Sequence, residues 1–181
     1  MNASPPNQQA LSAAIAQATR QAVETLFREH AEDFYCIALI TTGEAHAPFL
    51  SAWSWQALSA ETRRQGLDSD EALKWSYADS PYAVFGEGCF AEMNRYFAQR
   101  PAMEHTLRDA AWAAEFDLRL TAMEDAVRQQ DAQGLFGTGA ERDKRVVTVE
   151  VVPPDRGTTA RALRLNPPAA PVHWLAEAAE P

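Results

Sequence analysis

Few residues in this chain have the type and spacing that chemistry needs. Cys89 follows Gly86-Glu87-Gly88 at the expected start of a helix, where the backbone N–H groups favour a thiolate. A nucleophilic cysteine also requires a base, and His105 is the nearest histidine in sequence, so Cys89 and His105 form the one candidate catalytic pair. Glu44 and His46 share a short loop, with His30, Glu32 and Asp33 upstream. Those two histidines and three acids hold a metal only if the two ends of the intervening segment converge. Their spacing matches no zinc or calcium motif. Gly137-x-Gly139 resembles a fragment of a phosphate-binding loop, but it follows a helix and precedes a strand, the reverse of the order such loops use. The pairs Asp68/Asp70 and Glu115/Asp117 place carboxylates together, yet Glu115 is better explained by Arg119 one helical turn on. No Gly-x-Ser-x-Gly elbow, redox motif or cofactor fingerprint occurs, so neither metal nor cofactor is expected.

The aromatic group Trp53, Trp55, Trp75, Tyr77 and Tyr82 is the most suggestive feature. Trp and Tyr dominate the energetic centres of protein interfaces, and Trp75, Tyr77 and Tyr82 are the candidate binding residues. Trp53 and Trp55 are expected to cover the core.

The elements that must carry these residues follow from periodicity. Leu11, Ile15, Ala18, Ala22 and Leu26 recur at helical spacing over 8–30. Phe34 to Ile40 and Phe49 to Trp55, joined by a Gly-containing loop, read as an antiparallel hairpin. Helix starts are expected near Ser59 and Ser69, a short strand at Lys74 to Tyr77 and a helix from about Gly88. The next helix is the longest, near 102–133, ending at Gly134. It carries two apolar stripes, one through Trp112, Phe116, Leu120, Met123 and Val127, the other through Met103, Leu107, Ala111, Ala114 and Leu118. Such a helix is either buried between layers or broken in two. Arg145 to Val152 is the clearest strand, and Arg161 to Leu165 a weaker one that returns beside it. The fold class is α+β, with a small mainly antiparallel sheet packed with several helices. One domain over 8–165 lies between a loose N-terminus (1–7) and a Pro/Ala-rich tail (166–181), whose Trp174 and Leu175 are expected to dock.

Composition narrows the function classes. The 181 residues carry 16 basic and 25 acidic side chains, a net charge of −9. No basic surface for a nucleic-acid backbone is implied, and a basic partner or simple solubility fits the charge better. No run is long and apolar enough for a membrane span and no signal-peptide pattern opens the chain, so a cytoplasmic protein is expected. Two cysteines build no disulfide framework.

Phe34-Tyr35-x-Ile37-Ala38-Leu39, Lys74-Trp75-Ser76, Asp79-Ser80-Pro81-Tyr82 and Gly134-Leu135-Phe136-Gly137 together resemble the bacterial domain-of-unknown-function family 4303, over about Leu11 to Pro154. That resemblance transfers no catalytic residue. It implies a small standalone bacterial protein of the kind that includes immunity or accessory proteins of toxin systems. Two functions from different classes remain open. The first is a non-enzymatic protein-binding module, of which an immunity-type toxin inhibitor is one form. The second is a small enzyme or ligand-binding protein with a pocket near the hairpin loop, Cys89 and His105. A homo-oligomer built on an apolar helix face is a third arrangement.

Overall fold

The computed structural model describes residues 4–103 and 109–178. The first helix, α1 (Gln8–Glu29), starts where the Asn7 side chain accepts a bond from the Ala10 N–H at 2.9 Å. Its buried stripe holds Leu11, Ile15, Ala18, Ala22 and Leu26, as the spacing predicts. Strand β1 (Phe34–Thr42) is buried along almost its whole length, and β2 (Phe49–Ser54) pairs with it antiparallel. The expected hairpin is therefore present, but Trp55 does not belong to it. Ser54 accepts a bond from the Ala57 N–H at 2.9 Å and starts α2 (Trp55–Gln65), which ends on Gly66 at φ 67°.

Strand β3 (Val146–Val152) pairs with β1 in parallel, giving the order β2-β1-β3. The class is α+β. The sheet, however, is mixed rather than mainly antiparallel, because the expected return strand at Arg161–Leu165 is α5 (Thr158–Leu165). Burial of Arg161, Ala162 and Leu165 follows helical spacing. A central strand with a parallel neighbour is covered on both faces, which is why β1 reads as an unbroken apolar run.

Between β2 and β3 lie α3 (Ala91–Ala98), preceded by a 3₁₀ turn at Glu87–Phe90, and α4 (Asp109–Ala132), the long helix of the chain. Where a helix start near Ser69 and a strand at Lys74 to Tyr77 are expected, residues 69–79 run as bends and turns. Helix α4 is unbroken over 109–132. In its second half Leu120, Ala122, Met123, Ala126 and Val127 are all buried, so it lies between layers there, against α1 and β3. On the second expected stripe Ala111 and Ala114 are exposed and Leu118 is only half-buried. The remainder of that stripe includes Leu107, which falls outside the described residues.

Ile37, Leu39, Val147, Val149 and Val151 share the main core with α1 and α4. Alternation along β3 sends Val146, Thr148 and Glu150 to the opposite face. There Val146 packs on Ala162 of α5 and Trp174 of α6 (Val172–Glu177), so the tail docks through Trp174.

A buried ionic triad fastens α4 to three connections. Glu115 accepts from Arg100 Nε at 2.9 Å and Arg119 Nε at 2.7 Å. Arg119 also donates to the carbonyls of Ala45 and Pro101, and Arg100 to that of Pro6. Burial pushes the Glu115 carboxyl up, but the bonds and charges of the two guanidinium groups outweigh it and hold it below the usual carboxylate range.

Candidate functional site

A β-bulge builds the most exposed aromatic feature. The β1–β2 register slips between Phe34 and Cys36, leaving Tyr35 without a partner on β2. Bulges re-aim a side chain in this way. The Tyr35 ring lies under Trp55, with centroids 4.2 Å apart and planes at 27°, and Trp75 meets it edge-on at 5.3 Å. Tyr35 is buried, and its hydroxyl donates to the Lys74 carbonyl. Burial, with smaller contributions from Cys36, Asp70 and Glu177, pushes the Tyr35 hydroxyl well above its ordinary range. Trp55, at the start of α2, is 46% exposed.

Charge frames this ledge. Lys74 Nζ lies 5.4 Å from the Trp55 ring centroid and 5.6 Å from that of Trp75. The same ammonium pairs with Glu177 of α6 at 2.8 Å, and Trp75 Nε1 donates to Glu177 at 2.9 Å. Those bonds, with Lys74 first, hold the Glu177 carboxyl below its usual range. Acidic Asp68, Asp70 and Glu71 precede the ledge, and the Lys74 N–H donates to the Asp70 carbonyl at 2.9 Å.

The aromatic residues singled out in the sequence divide. Trp53 is buried and donates to the Ser76 carbonyl at 2.7 Å, as expected of a core residue. Trp55, expected to be core, is instead the most accessible, because the Ser54 cap turns the chain into a helix one residue before it. Trp75 and Tyr77 are half-buried. Ser51 donates to the Tyr77 carbonyl at 3.0 Å, so two β2 side chains hold segment 74–77 across the sheet. Tyr82 lies away from this group and is turned inward. Its hydroxyl donates to Glu32 at 2.9 Å and its ring packs on His30 and Phe34. Burial and Glu32 together push that hydroxyl up to about 12.

Of the catalytic and metal candidates, the structure places Cys89 and the two loop groups, and it does not bring those together. Cys89 lines a cleft between α1 and α3 with Gln17, Gln21, Glu92 and Tyr96. His46 lines a different cavity, beside Arg100 and Arg119, while His105 lies outside the described residues. Glu44 and His46 stand 4.0 Å apart with both side chains about half exposed. The His30, Glu32 and Asp33 group sits at the other end of β1, about 25–30 Å away at the rise of an extended strand. No cluster of three metal-ligating side chains occurs among the described residues. Asp68 and Asp70 line a shallow exposed hollow, and Glu115 is committed to the arginine triad while Asp117 is exposed. In the Gly137-x-Gly139 segment, Gly137 has φ 103°, and a Cβ there would lie 3.0 Å from Arg145 Nη1 and 3.2 Å from the Arg142 nitrogen. Its glycine serves a tight linker into β3.

Sequence reasoning missed Glu150. It stands in the Val-rich β3 and faces a cavity of about 340 Å³ shared with Trp75, Tyr77 and Trp174. Its carboxylate accepts from Thr148 Oγ1 at 2.7 Å and makes no ion pair among the described residues. Burial pushes this carboxyl above its ordinary range, against the opposing influence of Thr148 and Arg161. The available signal was a lone acid in Val-Val-Thr-Val-Glu-Val-Val, a strand whose parallel partner requires cover on both faces.

Against known proteins, a family model described as a domain of unknown function, DUF4303, matches residues 15–167. No curated protein and no solved structure matches the chain. No described helix is long and apolar enough to cross a membrane. The chain belongs to the DUF4303 family.

Proposed function

We propose that this DUF4303 member is a non-enzymatic protein-binding module that holds a basic partner on the ledge formed by Trp55, Tyr35 and Trp75. An immunity-type inhibitor of a basic toxin is the concrete form of that reading. The carrying observation is Trp55 itself: 46% exposed, yet fixed by the stack on buried Tyr35. An ordered, accessible Trp loses little conformational freedom on binding and brings a large apolar area, the properties of an interface hot spot. Asp68, Asp70 and Glu71 line a neighbouring hollow of α2 with Arg63, and the chain's net charge of −9 favours fast encounter with a basic surface.

Cys89 lines a cleft whose described walls hold no histidine, and its expected partner His105 lies outside the described residues, so the binding reading rests on the ledge alone. Quantitative mass spectrometry of material captured from the cell that makes the protein tests the proposal. Wild type and Trp55→Ala are compared at matched loading, with melting curves confirming that both are folded. A near-stoichiometric basic partner that Trp55→Ala loses is the expected result. A partner retained equally by both proteins places the interface elsewhere and overturns the assignment to this ledge.

A further inference from the structure

We propose that the cavity between β3, segment 74–77 and α6 binds a small organic cation, an alkyl- or aryl-ammonium, with its charged group on Glu150 and its apolar body against Trp75, Tyr77 and Trp174. About 340 Å³ is available, toward the small end of the range of ligand pockets. Among the described residues no Lys, Arg or His lines it, and Glu150 and Tyr77 are its ionisable walls.

The sign of the ligand's charge follows from what Glu150 lacks. Glu150 is half-buried on the cavity wall, and a carboxylate drawn partly out of water gains from a cation or further hydrogen bonds. Thr148 supplies one bond. Arg161 is the nearby cation, but its guanidinium is committed to Asp155, Thr158 and the Val149 carbonyl. An anionic ligand would meet Glu150 with no compensating charge in the wall, and a neutral apolar one would leave the carboxyl as it stands. An ammonium group supplies the missing partner, and aromatic walls add cation–π attraction.

The walls are also fixed in advance. Trp75 is tethered through Nε1 to Glu177, and Trp174 is 4% exposed and packed on Val146 and Ala162. Little ordering is left for binding to impose. The site shares Trp75 with the ledge, but its central residue is Glu150 and that of the ledge is Trp55, so Glu150→Gln and Trp55→Ala test the two separately.

Titration of ¹⁵N-labelled protein with benzylamine, and separately with the neutral isostere benzyl alcohol, provides the test. Benzylamine is expected to shift the indole N–H signals of Trp75 and Trp174 but not that of Trp112, which does not line the cavity. It is expected to bind wild type at least about tenfold more tightly than benzyl alcohol does, and to lose that advantage in Glu150→Gln. Equal binding of the amine and the alcohol, unchanged benzylamine affinity in a folded Glu150→Gln, or no indole shift at millimolar benzylamine each overturns the proposal. The amine-to-alcohol comparison on wild type decides the matter alone if the variant does not fold.

Discussion

Replacing Glu115 with Ala should be among the most damaging single changes outside the apolar core. The carboxylate sits between Arg100 and Arg119, and all three side chains are less than a tenth exposed. Neither guanidinium can shed its proton, so the variant leaves two cations facing each other in a poorly hydrated space. Breaking a buried pair by removing one partner costs about 3–5 kcal/mol. For a domain of this size that is a fall of roughly 6–20 °C in Tm. The damage should spread, since the same guanidinium groups hold the carbonyls of Pro6, Ala45 and Pro101. Circular-dichroism melts and urea titrations across pH are the assay. The folded Glu115 carboxyl lies below its ordinary value, so its contribution is complete above the unfolded carboxylate pKa, about 4.3. That contribution is lost as pH falls through the depressed folded value. The gap between wild type and Glu115→Ala should therefore be constant near neutrality and narrow in acid. A loss below about 1 kcal/mol, the range of solvated surface pairs, or a gap indifferent to acid would refute the reasoning.

Two further perturbations probe other parts of the account. Thr19 of α1 is buried, and its hydroxyl finds no partner among the described residues, so Thr19→Val should stabilise by about 1 kcal/mol, read as a higher urea midpoint. A lower midpoint would show that the hydroxyl is satisfied after all. The Tyr35 and Tyr82 hydroxyls both titrate above the ordinary tyrosine value in the fold, Tyr82 near 12. The unfolded chain thus releases these protons first, and stability should fall as pH rises above about 10. Tyr82→Phe should flatten the dependence of Tm on pH between about 10 and 12, and an unchanged slope would count against the buried Tyr82–Glu32 pair.

Much of the frame was legible because its signals were local. The α1 stripe, the β-branched and aromatic strands and the glycine after α4 each act within a few residues. Arg161-Ala-Leu-Arg-Leu misled because five residues are too few to separate the period of a strand from that of a helix. What decides for helix is Arg161, buried against Asp155 and the Val149 carbonyl, a partnership that the sequence does not reveal. Lys74-Trp75-Ser76-Tyr77 has strand composition, but its backbone carbonyls are taken by Trp53, Ser51 and Tyr35 side chains, which fix it as turns across the sheet. The parallel pairing of β3 with β1 is a long-range fact, and with it went the reading of Glu150: in a two-stranded hairpin an alternate residue faces water, whereas here it faces a cavity roofed by the 74–77 segment and α6. Trp75 and Tyr77 stand out as candidates from composition alone. Trp55 was assigned to the core because the helix start at Ser54 was placed five residues too late.

The affinity of the purified wild-type protein and of Trp55→Ala for the captured partner tests the central claim most directly. Loss of a hot-spot Trp should weaken binding by about 2 kcal/mol or more, roughly thirtyfold in Kd, with association also slowing as salt is raised. A Kd unchanged by Trp55→Ala in a folded protein would contradict the claim that this ledge is the binding surface.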